Sequence, residues 1–173
     1  SSVGAYVCRQ DGDWWTLYHK DTGARIVLSF KENPAPFEPK TPMLMDVKIT
    51  DFCTHGCAYC YQGSTPQGLH MDSNKIWNFA SSLHEANVFE IAIGGGEPTH
   101  HPNFIQIIEL LTPHCNVNFT TRNKEFLVKN YLEYHNPSLK NVRFALSIDS
   151  LSDIDFLSQF KHMHTYPHAQ YVV

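Results

Sequence analysis

From Met43 onward the hydrophobic period of the chain switches repeatedly between strand-like and helix-like, and this alternation restricts the fold more than any other feature. Leu44 to Thr50 reads as a first strand. Ile76, Phe79, Ala80 and Leu83 then recur at i, i+3, i+4 and i+7, the stripe of a helix that buries one face, with Asp72 or Ser73 placed to cap its free N–H groups. Phe89 to Ile93 is a second strand, and Phe104, Ile107, Ile108 and Leu111 mark a second helix opened by Pro102 and stopped by Pro113. Val117 to Thr121 and the stripe Leu127, Asn130, Tyr131 and Tyr134, capped by Asn123, make a third unit. Val142 to Ile148 is a fourth strand, after which Ser152 and Asp155 resemble a capping box for a helix carrying Phe156, Phe160 and Met163. Gln170 to Val173 opens a fifth strand. Parallel strands joined by helical crossovers build an open doubly wound sheet or a barrel, and both place ligand sites at the C-terminal strand ends.

Ahead of this α/β region, residues 1–33 alternate short β-prone runs with the turn signals Asp11-Gly12 and Asp21-Thr22-Gly23, which predicts a small antiparallel meander. Pro34, Pro36, Pro39 and Pro42 make 34–42 an extended linker, and 43–173 is the core region. The chain begins Ser1-Ser2 and stops at Tyr171-Val172-Val173, so it reads as a piece truncated near a fifth strand. Its 173 residues suffice for one domain with a core. No apolar run approaches the ~18 residues of a membrane span, and a net charge of −4 without a Lys/Arg cluster disfavours nucleic acid as a partner.

Five cysteines, three of them within eight residues, fit a disulfide framework badly, and the lack of a signal segment points to a reducing cytoplasm. The three form Cys53-Thr54-His55-Gly56-Cys57-Ala58-Tyr59-Cys60, directly after the first strand. Thiolates at this spacing can wrap one metal centre, with Gly56 allowing the turn between them. On four irons they leave one iron open to a small molecule; with His55 or His70 added they make a Cys₃His zinc site. At the end of the second strand stands Gly94-Gly95-Gly96-Glu97-Pro98, where glycines permit close backbone approach and a carboxylate can meet a ligand's ammonium group. A phosphate loop does not fit, because neither Gly-Lys-Ser/Thr nor GxGxxG is present.

A CxxxCxxC run after strand one and a GGEP segment after strand two together resemble the radical SAM (S-adenosylmethionine) superfamily, over roughly residues 43–173. The resemblance implies a partial parallel (β/α) barrel. It implies that Cys53, Cys57 and Cys60 hold a [4Fe–4S] cluster, that Tyr59 lies near the adenine of SAM, and that Gly95, Gly96 and Glu97 hold its ammonium. Thr121 and Ser147 take places where members touch the methionyl carboxylate or ribose, although Thr121-Arg122-Asn123 departs from the usual Thr-Asn-Gly turn. The implied chemistry is reductive cleavage of SAM to methionine and a 5′-deoxyadenosyl radical that abstracts hydrogen from a substrate, with an electron donor such as a flavodoxin or ferredoxin. The cofactor supplies that chemistry, and the protein positions and shields it.

The substrate is read as a peptide or protein, because the chain lacks a basic face and its N-terminal meander could hold an extended segment by strand addition. A nucleotide or small metabolite is the competing reading, and a non-catalytic zinc- or SAM-binding module is the alternative from another class. His100-His101-Pro102 reads as cap and turn chemistry. Trp14, Trp15 and Tyr18 read as the meander's own small core, and Cys8 and Cys115 as buried thiols. His162, Met163, His164 and His168 read as a solvated helix end.

Overall fold

The structure is a computed structural model that describes residues 2–161 and 168–171. Its described strands form two sheets. In the first, β1 (Ser2–Val3), β2 (Tyr6–Asp11), β3 (Trp14–His19) and β4 (Arg25–Ser29) pair antiparallel in chain order. In the second, β5 (Leu44–Lys48), β6 (Glu90–Gly94), β7 (Asn116–Thr121), β8 (Arg143–Ile148) and β9 (His168–Tyr171) are all parallel, again in chain order. The fold is therefore α/β, with the strand sequence of a barrel rather than of a doubly wound sheet, whose order would reverse at a switch point. The tract His162, Met163, His164 lies outside the described residues, as does the side chain of His168.

Because side chains alternate across a strand, each barrel strand sorts its residues between two faces. Ile91, Ile93, Val117, Phe119, Phe144 and Leu146 turn to the helix side and enter one buried cluster with Ile76, Ala80, Leu83, Phe104, Ile108, Leu111, Leu127 and Phe160. The other face carries Asp46, Lys48, Asn118, Thr120, Arg143 and Ser147, none of them fully buried. That concave face is polar, which suits a lined cavity and not a packed barrel core.

The helices follow the hydrophobic stripes with local corrections. α1 (Ser73–Ala86) is capped by Asp72, which accepts from Asn74 N at 2.8 Å. α2 (Phe104–Leu111) starts after Asn103, so Pro102 stands in the preceding turn. α3 (Lys124–Leu127) is one turn, capped by Asn123, and Val128–Glu133 continues it as a wider π-type coil. Asn130 Nδ2 donates to the Phe126 carbonyl there, at 3.0 Å. The capping box of α4 (Leu151–Leu157) is Ser150 with Asp153, not Ser152 with Asp155. The chain turns directly after β8, so the Asp153 carboxylate already accepts from Asp149 N at 2.8 Å and Ser150 N at 3.0 Å.

The N-terminal sheet is fastened to the barrel. Tyr18 does not sit in a separate meander core: it is 2% exposed and stacks on Phe89 with ring centroids 5.0 Å apart. Its hydroxyl accepts from Asn116 Nδ2 at 2.8 Å. Trp14 leaves the sheet as well, packing on Phe37 and donating to the Ala35 carbonyl at 2.6 Å. Buried Arg9 pairs with Asp11 at 2.9 Å and reaches Thr41 Oγ1, the Pro42 carbonyl and the Asn87 carbonyl. The proline-rich stretch is thus stitched along its length rather than acting as a free spacer. No helix among the described residues is long and apolar enough to cross a membrane.

Candidate functional site

The site is built on the segment that continues β5. Residues 49–53 are bonded along both edges: Asp51 N donates to the Leu69 carbonyl at 2.8 Å and Cys53 N to the Thr65 carbonyl at 3.0 Å. On the other side Gly96 N donates to the Thr50 carbonyl at 2.8 Å and Glu97 N to the Phe52 carbonyl at 2.9 Å. This approach requires glycine. A Cβ on Gly96 would lie 2.3 Å from the Phe52 carbonyl oxygen, and one on Gly95 would lie 2.4 Å from that of Thr50.

Registers Lys48↔Gly94, Ile93↔Phe119 and Thr121↔Leu146 align the C-terminal strand ends, so four loops meet above the concave face. There they enclose a cavity of about 500 Å³ whose walls include Cys53, Cys57, Cys60, Tyr59, Gly94 to Glu97, Thr121 and Ser147. Every residue singled out from the sequence for cluster or SAM contact faces this one space. Asp46, Lys48, His55 and Arg122 line it too. Sequence reasoning assigned no role to Asp46, Lys48 or Arg122; Asp46 and Lys48 share one face of β5, and Arg122 stands in the loop after β7.

The thiols differ in surroundings. Cys53 is buried, Cys57 half-buried and Cys60 exposed. Burial pushes the Cys53 thiol up, whereas the backbone N–H of Ser64, helped by those of Gln62 and Gly63, pulls the Cys60 thiol down toward its thiolate. Gly56 takes φ +60°, the left-handed turn between the first two cysteines. Tyr59 is 81% exposed at the cavity mouth. Outside the site, Cys8 and Cys115 are half-buried, and burial raises Cys115 to about 12.

Neither histidine considered as a fourth zinc ligand turns to the thiols. His70 Nδ1 lies 2.8 Å from Thr50 Oγ1 and its ring packs on His101. His55 Nε2 faces Glu97 Oε2 at 3.4 Å. Among the described residues no three Cys, His, Asp or Glu side chains converge as they would on a single ion. Three thiols around one cavity suit a wider body, a cluster in which each thiolate meets a different iron. The residues therefore fit a [4Fe–4S] group. His101 serves the fold, as cap and turn chemistry implies, with Nε2 2.9 Å from the Met71 carbonyl and Nδ1 accepting from Asn103 N at 3.1 Å.

Glu97 is the most enclosed acid of the site, 2% exposed. Burial alone would raise its carboxyl, but hydrogen bonds from His55, Thr121, Arg122 and Thr99 outweigh burial and hold it below the ordinary range. Arg122, whose backbone takes part there, sends its guanidinium to both oxygens of Asp149 at the end of β8.

A partial (β/α) barrel whose strand ends gather three thiols and a glycine-rich acceptor loop defines a class of protein. Residues 47–171 match the radical SAM superfamily, and the chain belongs to it. Members of this family use a [4Fe–4S] cluster and SAM. A GTP 3′,8-cyclase of Shewanella denitrificans is 32% identical over 113 residues, which cover 61% of this chain and 32% of that protein. Mycofactocin maturase MftC of Mycobacterium tuberculosis is 28% identical over 82 residues, 46% of this chain and 21% of that one. The chain thus spans about a third or less of these curated relatives. Streptococcus suis SuiB bound to S-adenosylmethionine has the same fold, with a TM-score of 0.65 at 12% identity, over 98% of this chain and 55% of that one.

Proposed function

We propose that the chain is the core of a radical SAM enzyme that takes hydrogen from a peptide or protein substrate. The observation that carries the reading is the shared cavity: Cys53, Cys57 and Cys60 face the same space as Gly95, Gly96 and Glu97. The cysteines would hold the cluster, the glycine loop the ammonium end of SAM, and Tyr59 the adenine, with Thr121 and Ser147 on the wall beyond. When bound, these groups supply one-electron cleavage of the sulfonium and the radical that abstracts hydrogen, given an electron donor such as a flavodoxin or ferredoxin. The chain's own part is to fix the loops, exclude water above the strands, and offer a polar concave face to the substrate. Five free cysteines fit work in a reducing cytoplasm.

Two features support a peptide. Strand β4 is bonded only to β3 among the described residues, and Ile26 and Val27 on it, with Phe30 just beyond, are exposed. Such an edge can accept an extended segment as an added strand. The likeness to a GTP 3′,8-cyclase favours a second reading, a nucleotide substrate. GTP added to the reconstituted, reduced protein separates the two: SAM cleavage unchanged by GTP supports the peptide reading, and cleavage stimulated by GTP replaces it.

A further inference from the structure

On β5 to β8 the concave face of the barrel carries four charged side chains, Asp46, Lys48, Glu90 and Arg143, and three of them are tied to a neighbour. Glu90 accepts from Asn118 Nδ2 at 2.7 Å and from the Tyr18 hydroxyl at 3.4 Å. Arg143 donates to the Asp21 carbonyl. Lys48 reaches past the strand end to pair with Asp51. The Asp46 carboxylate makes no hydrogen bond or ion pair among the described residues, although it lines the cavity and is exposed there. Aspartate is disfavoured inside strands, yet Asp46 is the middle residue of β5, between Met45 and Val47 that pack on the core. Its side chain gives the fold no contact in return. Its neighbour in register is Ala92, whose methyl leaves room beside the carboxylate, and two residues on Lys48 is level with Gly94. The two cations that line the cavity, Lys48 and Arg122, are both paired with aspartates, so a phosphate would find no free cation there.

Resting on the reading of the chain as a radical SAM enzyme with a peptide substrate, we infer that Asp46 determines specificity by receiving a cationic side chain of that substrate, an ammonium or a guanidinium. Both groups offer donors and no acceptor, which is what an unpartnered carboxylate requires. Asp46 lies two strand residues, ~7 Å, below the level of Gly94. An extended cationic side chain spans such a step. A head group held at Asp46 thus leaves the peptide backbone near the level where the loops meet.

The test uses capped glycine pentapeptides whose central residue is lysine, norleucine or glutamate, titrated by calorimetry into the reconstituted, SAM-loaded protein. The wild type should bind the lysine peptide roughly three- to tenfold more tightly than the norleucine one, the worth of one charge-assisted bond in a partly open site. Asp46→Asn should abolish that preference, and Asp46→Lys should transfer it to the glutamate peptide, a reversal that a merely structural role would not produce. Should Asp46→Lys not fold, the near-isosteric Asp46→Asn decides the matter. Lysine and norleucine peptides bound alike by the wild type, a lysine preference that survives in Asp46→Asn, or no binding of any of the three would each overturn the inference. The underlying readings fail by other signs. A wild-type paramagnetic resonance spectrum that does not respond to SAM refutes the radical SAM reading, and SAM cleavage stimulated by GTP replaces the peptide reading, in both cases before any variant is compared.

Discussion

The ring of Tyr18 lies flat against Phe89, 5.0 Å between centroids and 8° from parallel, and joins the N-terminal sheet to the base of the barrel. Burial first, then the charge of Glu90, pushes the Tyr18 hydroxyl up to about 12. Unfolded, it titrates near its ordinary value of 10.0. Between these values the unfolded chain holds fewer protons than the native one, so the contribution of Tyr18 to stability is complete below pH ~10 and is lost as pH rises toward ~12. Cys115, raised to about 12 from 9.0 by burial, acts in the same direction. Urea unfolding at pH 8 and pH 11 should differ by about 1–3 kcal/mol. Tyr18→Phe should cost roughly 1 kcal/mol at pH 8 through its lost hydrogen bonds and flatten the alkaline decline. A decline as steep in Tyr18→Phe as in the wild type would contradict this account.

Gly96→Ala should damage the site where Gly94→Ala does not. The added methyl would press on the Phe52 carbonyl at 2.3 Å and on Cys53 Cβ at 2.9 Å, whereas a Cβ on Gly94 meets nothing within 4 Å. The expected cost is about 1–3 kcal/mol for overpacking, together with reduced iron uptake because Cys53 shifts. Thermal denaturation and iron analysis after reconstitution check both effects; equal iron content in the two variants would count against the assignment.

Cys57→Ala should abolish cluster assembly, while Cys115→Ala should leave iron content unchanged. Cys57 lines the cavity. Cys115 points its sulfur toward the Leu111 carbonyl, 3.8 Å away. Iron and sulfide determination on the two proteins separates these roles, and loss of iron in Cys115→Ala is the adverse result.

Asp153→Ala should lower stability by about 1 kcal/mol through loss of its cap, and Asp155→Ala by less than half of that. Asp153 accepts from two backbone N–H groups and pairs with Lys124. Chemical denaturation of both variants decides which one is the capping residue.

That last pair illustrates what the sequence could convey. The βα units were legible because a period of 3.6 records which helix face is buried, and Ile76, Ala80, Leu83, Phe104, Ile107, Ile108 and Leu111 all entered the core as their spacing implied. The capping box was misplaced by two residues because Ser-x-x-Asp occurs twice in succession, and only the end of β8 selects between the copies. The π-type coil after Leu127 left the spacing of Leu127 and Tyr131 unchanged, so periodicity could not reveal it. The cysteine run and the Gly94–Glu97 loop were visible as local motifs. The ring of bonds around Glu97 was not, since Thr121 lies 24 residues away and its hydroxyl could as well have faced the cavity. Tyr18 was misjudged for the same reason: its partners are Phe89, just ahead of β6, and Asn116 of β7, both far from it in sequence.

If Cys53, Cys57, Cys60 and the Gly94–Glu97 loop serve one cofactor assembly, SAM must act directly on the cluster's spectrum. Electron paramagnetic resonance on the anaerobically reconstituted, dithionite-reduced protein, recorded with and without SAM, reads this. The expected result is a reduced [4Fe–4S] signal that changes on adding SAM and is lost in Cys57→Ala. A protein that yields no cluster signal and contains zinc, or a cluster signal indifferent to SAM, would contradict it.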